Sequence, residues 1–497
     1  MLSSLNRSLA LAALVTSTLA AQDSFQEIQS RVTSFTLKNG MTFIVLERHQ
    51  APVASFLTYA DVGSVQEVKG ITGLAHIFEH MAFKGSPTLG GNDYAEERLS
   101  LDRVDQAFYA LRDERRKGNK ADAEKLKKLE TDFQAAQDGA SKFVVKGEFG
   151  DAIDNAGGRD LNASTAQDST RYFFSLPSNS AELWFFLESE RFLNPVLREF
   201  YKEKDVVMEE RRMSNENQPI GKLLEETTHI AFKAHPYGEP VVGHMSDLQE
   251  VTRTDAAAFF QRYYQANNLV SVIVGDVNPK QIRDWAEIYF GRLPSAPKPE
   301  PLRSVEPPQE GERRTTLRLK SEPVLLMAFH KPDMNHPDHA VYRALSSVLS
   351  EGRSSRLYSS LVREKKIAVM AVGFGDFPGN KYPGLFTFAA FTAPGHTNAE
   401  IEKAFDVEIE RLQNELVTAE ELDGVKRRAR AGLINSLGDN IGLANALADW
   451  QVLTGDWHNL FRQLDRLNKV TAADIQRVAK ATFTADNKTV AAIEPIQ

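Results

Sequence analysis

The sequence predicts an α+β protein. It should have two homologous domains, each a mainly antiparallel sheet with helices packed on it, and a helical hairpin inserted into the first. Three observations carry that expectation. Short β-like runs ("MTFIVLER", "VASFLTYADVG", "TRYFFSLPS", "VLLMAFHKP", "GLFTFAAFT") alternate with helical segments, which points to sheets with helices on one side rather than a helical bundle. A Pro-rich stretch, "LPSAPKPEPLRSVEPPQEGE" (293–312), fits neither a helix interior nor a central strand, so it reads as a linker. Finally, 248–277 and 467–496 echo one another: Leu248, Val251, Thr252, Asp255 and Asn268 meet Leu467, Val470, Thr471, Asp474 and Asn487 at one constant offset. Each segment reads as a Thr N-cap, a helix, a turn and a β-rich strand. Each closes its half of the chain, as in a duplicated domain.

At 497 residues the chain exceeds one compact core. The formal charge of −8 argues against a general nucleic-acid binder. With no cysteine, disulfides and thiol chemistry are excluded, and any metal must be held by His and carboxylates.

In chain order, "MLSSLNRSLALAALVTSTLAAQDS" has one Arg, then apolar and small residues, then a small-residue stretch ending near Ala20 or Ala21. Residues 1–21 are expected to be a signal peptide, so the protein should be exported, periplasmic or secreted. A mitochondrial presequence fits less well, because no basic amphipathic face is present. No other apolar run is long enough to span a membrane. Residues 25–292 should form the first domain and 313–497 the second. Residues 94–146 have no counterpart in the second half. Leu101, Val104, Phe108 and Leu111, and again Leu126, Leu129, Phe133 and Ala136, recur at helical spacing, with "RKGNK" between them. This is the expected hairpin, read most simply as a solvated structural arm.

The stretch "GLAHIFEHMAFKG" (73–85) carries chemistry. On a helix of about 100° per residue, Leu74, Ile77, Phe78, Met81 and Ala82 share one face, and His76, Glu79 and His80 share the other. Two imidazoles one turn apart can hold one Zn²⁺, and a carboxylate beside them can take a proton from metal-bound water. Lys84 and Gly85 read as a cationic last turn and a Gly stop. A third ligand must be His, Asp or Glu. The best candidate helix is "KEKDVVMEERRMSNEN" (202–217), where Glu203, Val206, Val207, Glu210 and Met213 fall in one stripe. Two carboxylates in an apolar stripe are costly unless paired or bound to a cation. Glu210 as ligand with Glu203 behind it is coherent, and an ordinary charged helix stays open at this point.

His-x-x-Glu-His is the inverted zincin signature. Its context resembles the pitrilysin/insulinase family of zinc metallopeptidases, especially the short-chain, mitochondrial-processing-peptidase-like subgroup, over almost the whole mature chain. The resemblance implies that His76, His80 and Glu210 hold one Zn²⁺. It also implies that Glu79 activates a zinc-bound water as general base and that Glu203 assists catalysis. "LNASTAQDSTRYFFSLP" matches the strand beside the site, so Asn162 and Ala163 are expected to bind substrate backbone. In the short-chain subgroup, two chains close as a clamshell around a peptide. The family's second domain usually supplies an Arg and a Tyr to substrate. Arg363 matches the Arg, but Val369 or Met370 stands where the Tyr should be. The expectation is therefore a zinc endopeptidase acting on peptides or unfolded polypeptides, dimeric, with a non-identical homologous partner supplying the Arg/Tyr pair. The alternative is a non-catalytic assembly or peptide-binding subunit of the same fold.

Overall fold

The computed structural model describes residues 26–496, so the expected signal peptide lies outside the described residues. Among those residues the strands form two sheets. The first comprises β1 (Val32–Thr36), β2 (Thr42–Glu47), β3 (Val53–Ala60), β4 (Arg159–Thr165), β5 (Thr170–Pro177) and β6 (Leu269–Gly275), in the order β1-β2-β6-β3-β5-β4. The second comprises β7 (Arg313–Leu319), β8 (Val324–Lys331), β9 (Ala368–Phe377), β10 (Gly384–Thr392) and β11 (Lys488–Pro495), in the order β7-β11-β8-β10-β9. Without β1, the two orders superimpose strand for strand. Each sheet has one parallel pair at the same place, β2–β6 and β7–β11, and antiparallel pairs elsewhere.

The repeat extends to single hydrogen bonds. Thr252 and Thr471 each cap a helix in a reciprocal box with an aspartate three residues on. The Asn268 amide donates to Tyr263 O (2.9 Å) and Asp61 O (3.0 Å), just past β3. Asn487 donates to Thr482 O (2.9 Å) and His330 O (3.0 Å), on β8. Each asparagine ties the end of the helix before it to the equivalent strand.

One expectation needs correction: the sheets are covered on both faces. Helix Asn440–Thr454, from the second half, lays Leu443, Ala444, Leu447 and Ala448 on Ile44, Leu46, Leu57, Val272 and Val274 of the first sheet. Helix Pro219–Ala231, from the first half, returns the exchange by packing Leu223 on Val324, Leu326, Ala491 and Ile493. The physical reason is visible in the strands. β2, β3 and β6 are buried almost continuously, and a run without alternation needs cover on both sides. Leu447 is fully buried, so Leu447→Ala should cost about 2–5 kcal/mol. Denaturant unfolding followed by circular dichroism checks this.

The Pro-rich stretch has no helix or strand over residues 293–312, but it is strapped down. The Glu306 carboxylate accepts the Lys233, Ala234 and His235 amides at 2.9–3.0 Å. The inserted hairpin consists of helices Tyr94–Arg115 and Ala123–Ser141, capped by Asp93 and Asp122. Leu101, Val104, Phe108 and Leu111 are buried, whereas Leu126, Leu129, Phe133 and Ala136 are half-buried. The hairpin is therefore docked rather than a solvated arm. Its first helix places two carboxylates on the helix Phe200–Arg211 and its approach: Glu97 meets Arg198 at 2.6 Å, and Asp105 accepts from the Tyr201 hydroxyl at 2.8 Å. No helix of the described residues is long and apolar enough to cross a membrane.

Candidate metal centre

Helix Leu74–Met81 buries Leu74, Ala75, Ile77, Phe78 and Met81, which turns His76, Glu79 and His80 outward. Its first turn is fixed from behind by the buried Glu67 carboxylate, which accepts the Gly73 and Ala75 amides, each at 2.7 Å. Gly73 stands at φ +89°, and a Cβ there would lie 2.7 Å from Val242 O. Only glycine meets both demands. The helix ends at Met81 with Ala82 as its C-cap. Lys84 therefore does not close the last turn as its sequence position suggested. Its ammonium turns across to the helix Phe200–Arg211 instead.

That second helix brings Glu203 and Glu210 opposite the histidines. His76 Nε2 and His80 Nε2 lie 3.7 and 3.6 Å from the same Glu210 oxygen, and donor atoms of all three residues fall within 4.8 Å of one another. These separations are long for hydrogen bonds. They are close to the roughly 3.4 Å between donors about 2.0–2.1 Å from one tetrahedral zinc. The imidazole planes are perpendicular, with centroids 5.0 Å apart. Two imidazoles and a carboxylate in this arrangement fit a borderline-soft divalent cation such as Zn²⁺.

The two imidazoles differ in their electrostatics. Burial pushes the His76 pKa down, so this imidazole is neutral and has a lone pair to give. Glu203 lies 3.5 Å from His80 Nδ1 and raises the His80 pKa against the effect of burial. A donor held at Nδ1 leaves Nε2 facing Glu210. Burial would raise Glu203 itself, but His80 and Lys84 together hold its pKa at about 2. Burial raises the Glu79 pKa, while the Thr165 hydroxyl, donating at 2.6 Å, pulls it back.

The stripe proposed on residues 203–213 divides. Val207 is fully buried, but Val206 and Met213 are exposed and the Glu210 side chain is 46% exposed. Glu210 is therefore not a carboxylate trapped among apolar residues; its juxtaposition with the histidines marks it. Asn162 and Ala163 lie on β4, the edge strand of the first sheet and a neighbour of the helix Leu74–Met81. Asn162 is exposed, and its side-chain oxygen accepts the Ala163 amide at 2.8 Å. Arg363 is not brought to the triangle; its guanidinium pairs with neighbouring Glu364 at 3.1 Å. Val369 and Met370 are exposed on β9, the edge of the second sheet, where the register with β10 slips. Sequence reading missed Thr165. It sits in the quoted strand motif, but no spacing rule links it to Glu79.

If the triangle is a metal site, Glu210→Gln should weaken Zn²⁺ binding by at least the roughly 10–100-fold that losing an outer partner costs, because it removes a charged donor. Chelator competition measures this.

A two-helix His/His/Glu cluster with a glutamate between its histidines, carried on a duplicated α+β scaffold, defines an inverted-zincin class of protein. The chain belongs to the M16, or insulinase, family of peptidases. Residues 43–109, which hold the histidine motif, match the family "Insulinase (Peptidase family M16)", and residues 250–429 match "Peptidase M16 inactive domain". The chain is 28% identical to the zinc protease PqqE of Helicobacter pylori over 99% of both chains. It superimposes on the crystal structure of a protease from Helicobacter pylori with a TM-score of 0.78 and 27% identity, covering 93% of this chain and 99% of that one. A Pseudomonas fluorescens peptidase M16 inactive domain shares the fold, with a TM-score of 0.74 at 18% identity and coverage of 94% and 98%.

Proposed function

We propose that this chain is an exported zinc-dependent endopeptidase that hydrolyses peptides or unfolded polypeptides within a clamshell. The observation that carries the reading is the convergence of His76, His80 and Glu210 donors within 4.8 Å, with Glu79 beside them. Zn²⁺ held there supplies a Lewis acid that polarises the scissile carbonyl and acidifies water. Glu79 takes the proton of the attacking water and returns it to the leaving amine. Its raised pKa suits a group that must both accept and release a proton. Thr165 holds the Glu79 carboxylate in place, and Glu203 orients His80 rather than touching substrate. β4 presents an unpaired edge to which an extended peptide can add as a strand, alongside Asn162 and Ala163.

The second half supports a paired arrangement. Apolar Val369 and Met370 occupy the edge where the family carries a Tyr, and Arg363 is engaged with Glu364. A non-identical homologous chain would then supply the Arg/Tyr pair, with residues 25–292 and 313–497 as the two domains of this one. The test is cleavage of an unfolded polypeptide by metal-stripped protein before and after addition of Zn²⁺, alone and with the partner chain. Restoration by Zn²⁺ supports the reading. Zinc binding without cleavage, even with the partner present, identifies a peptide-binding subunit.

A further inference from the structure

Two helices far apart in sequence must be held in register for the His76–His80–Glu210 triangle to form, and the residues that set this register are not among the ligands. Lys84 lies three residues beyond the first ligand helix. Its ammonium meets Glu203 Oε1 at 2.6 Å and Glu199 Oε2 at 3.0 Å, and its side chain is only 21% exposed. Glu203 in turn faces His80 Nδ1. A continuous chain of charged contacts therefore runs Glu199–Lys84–Glu203–His80 and crosses between the helices three times.

Two features show that this bridge is costly. Glu199 occupies the left-handed region at φ +53°, ψ 26°, without being glycine, which costs on the order of 1–2 kcal/mol. It also stands at the N-cap of the second ligand helix, yet makes no side-chain cap bond, although an N-cap carboxylate usually accepts a backbone amide there. Its oxygens go instead to Lys84 and Lys202, each at 3.0 Å. Strain and a forfeited cap persist only where the surroundings over-determine them.

We propose that Lys84 is a positioning residue for the metal centre: it locks Glu203 against His80 and the start of the second ligand helix against the end of the first. This rests on the triangle being a zinc site. Metal ligands are commonly oriented by such outer partners, and losing one costs about 10–100-fold in metal affinity.

The experiment measures Zn²⁺ affinity of the full chain by chelator competition, and the visible spectrum of the Co²⁺-loaded protein. The variants are Lys84→Met, Lys84→Arg, Glu203→Gln and the Lys84→Met/Glu203→Gln pair. Lys84→Met should lose about 10–100-fold and shift the Co²⁺ bands. Lys84→Arg should restore most of the affinity, since a cleft of about 310 Å³ beside Lys84 and Glu199 leaves room for a guanidinium. The double variant should lose less than the two single losses combined, because Lys84 acts in part through Glu203. Unchanged affinity in Lys84→Met, or fully additive losses, would overturn the proposal. Should Lys84→Met fail to fold, Glu199→Gln loosens the same ammonium from its other side: a measurable loss of affinity supports the proposal and none overturns it. Wild-type protein that binds no zinc would remove the metal-centre reading itself, a separate outcome from zinc-binding protein indifferent to Lys84.

Discussion

Glu79→Gln is expected to keep its zinc and lose its hydrolysis, with turnover falling by about 10²–10⁴-fold. Glutamine matches glutamate in shape, and its carbonyl oxygen can still accept the Thr165 hydroxyl that now reaches Glu79 at 2.6 Å. The donors that converge belong to His76, His80 and Glu210, so removing the Glu79 charge leaves them in place. What disappears is the base: an amide cannot take a proton from water near neutral pH. Metal content by mass spectrometry and cleavage of a quenched fluorescent peptide separate these effects. Zinc lost together with activity would mean that Glu79 is a ligand. Unchanged turnover would remove it from the mechanism.

Arg198→Met should be the most damaging single change to stability. The Arg198 side chain is fully buried. It binds Glu97 at 2.6 Å and donates to the carbonyls of Lys84, Ser86 and Leu89 at 2.8–2.9 Å. One guanidinium therefore fastens the inserted hairpin, the loop after the helix Leu74–Met81 and the start of the helix Phe200–Arg211. Removing it strands a buried carboxylate and takes the Arg198 bond from three carbonyls, of which Ser86 O and Leu89 O each keep one backbone amide. Breaking such a pair costs about 3–5 kcal/mol, and the loss of the bonds to the carbonyls adds to that. Thermal unfolding should show a Tm drop on the order of 5–10 °C. Arg198→Met combined with Glu97→Gln should recover part of the loss, because the uncompensated charge is gone. A double variant as unstable as the single one would place the cost in the carbonyls alone.

The parts of this fold legible in the sequence are those encoded locally. Thr252 and Thr471 announce their helices because a capping box lies within four residues. The hairpin shows in the 3–4 spacing of Leu101, Val104, Phe108 and Leu111, and the outward face of His76, Glu79 and His80 follows from helix geometry. What stayed hidden depends on contacts distant in sequence. The apolar residues of helix Asn440–Thr454 reveal that it is buried, but nothing in them says that the other half's sheet covers it. Lys84 looked like a helix end because its partners, Glu199 and Glu203, lie more than a hundred residues away. Glu210 is half-exposed, so burial could not single it out; family resemblance and geometry did.

Zinc K-edge X-ray absorption of the Glu79→Gln protein reads the coordination shell at His76, His80 and Glu210 itself. One zinc per chain is expected, four-coordinate, with two imidazoles and the remaining donors oxygen. A sample with no stoichiometric zinc, or a coordination shell with fewer than two imidazoles, would contradict it.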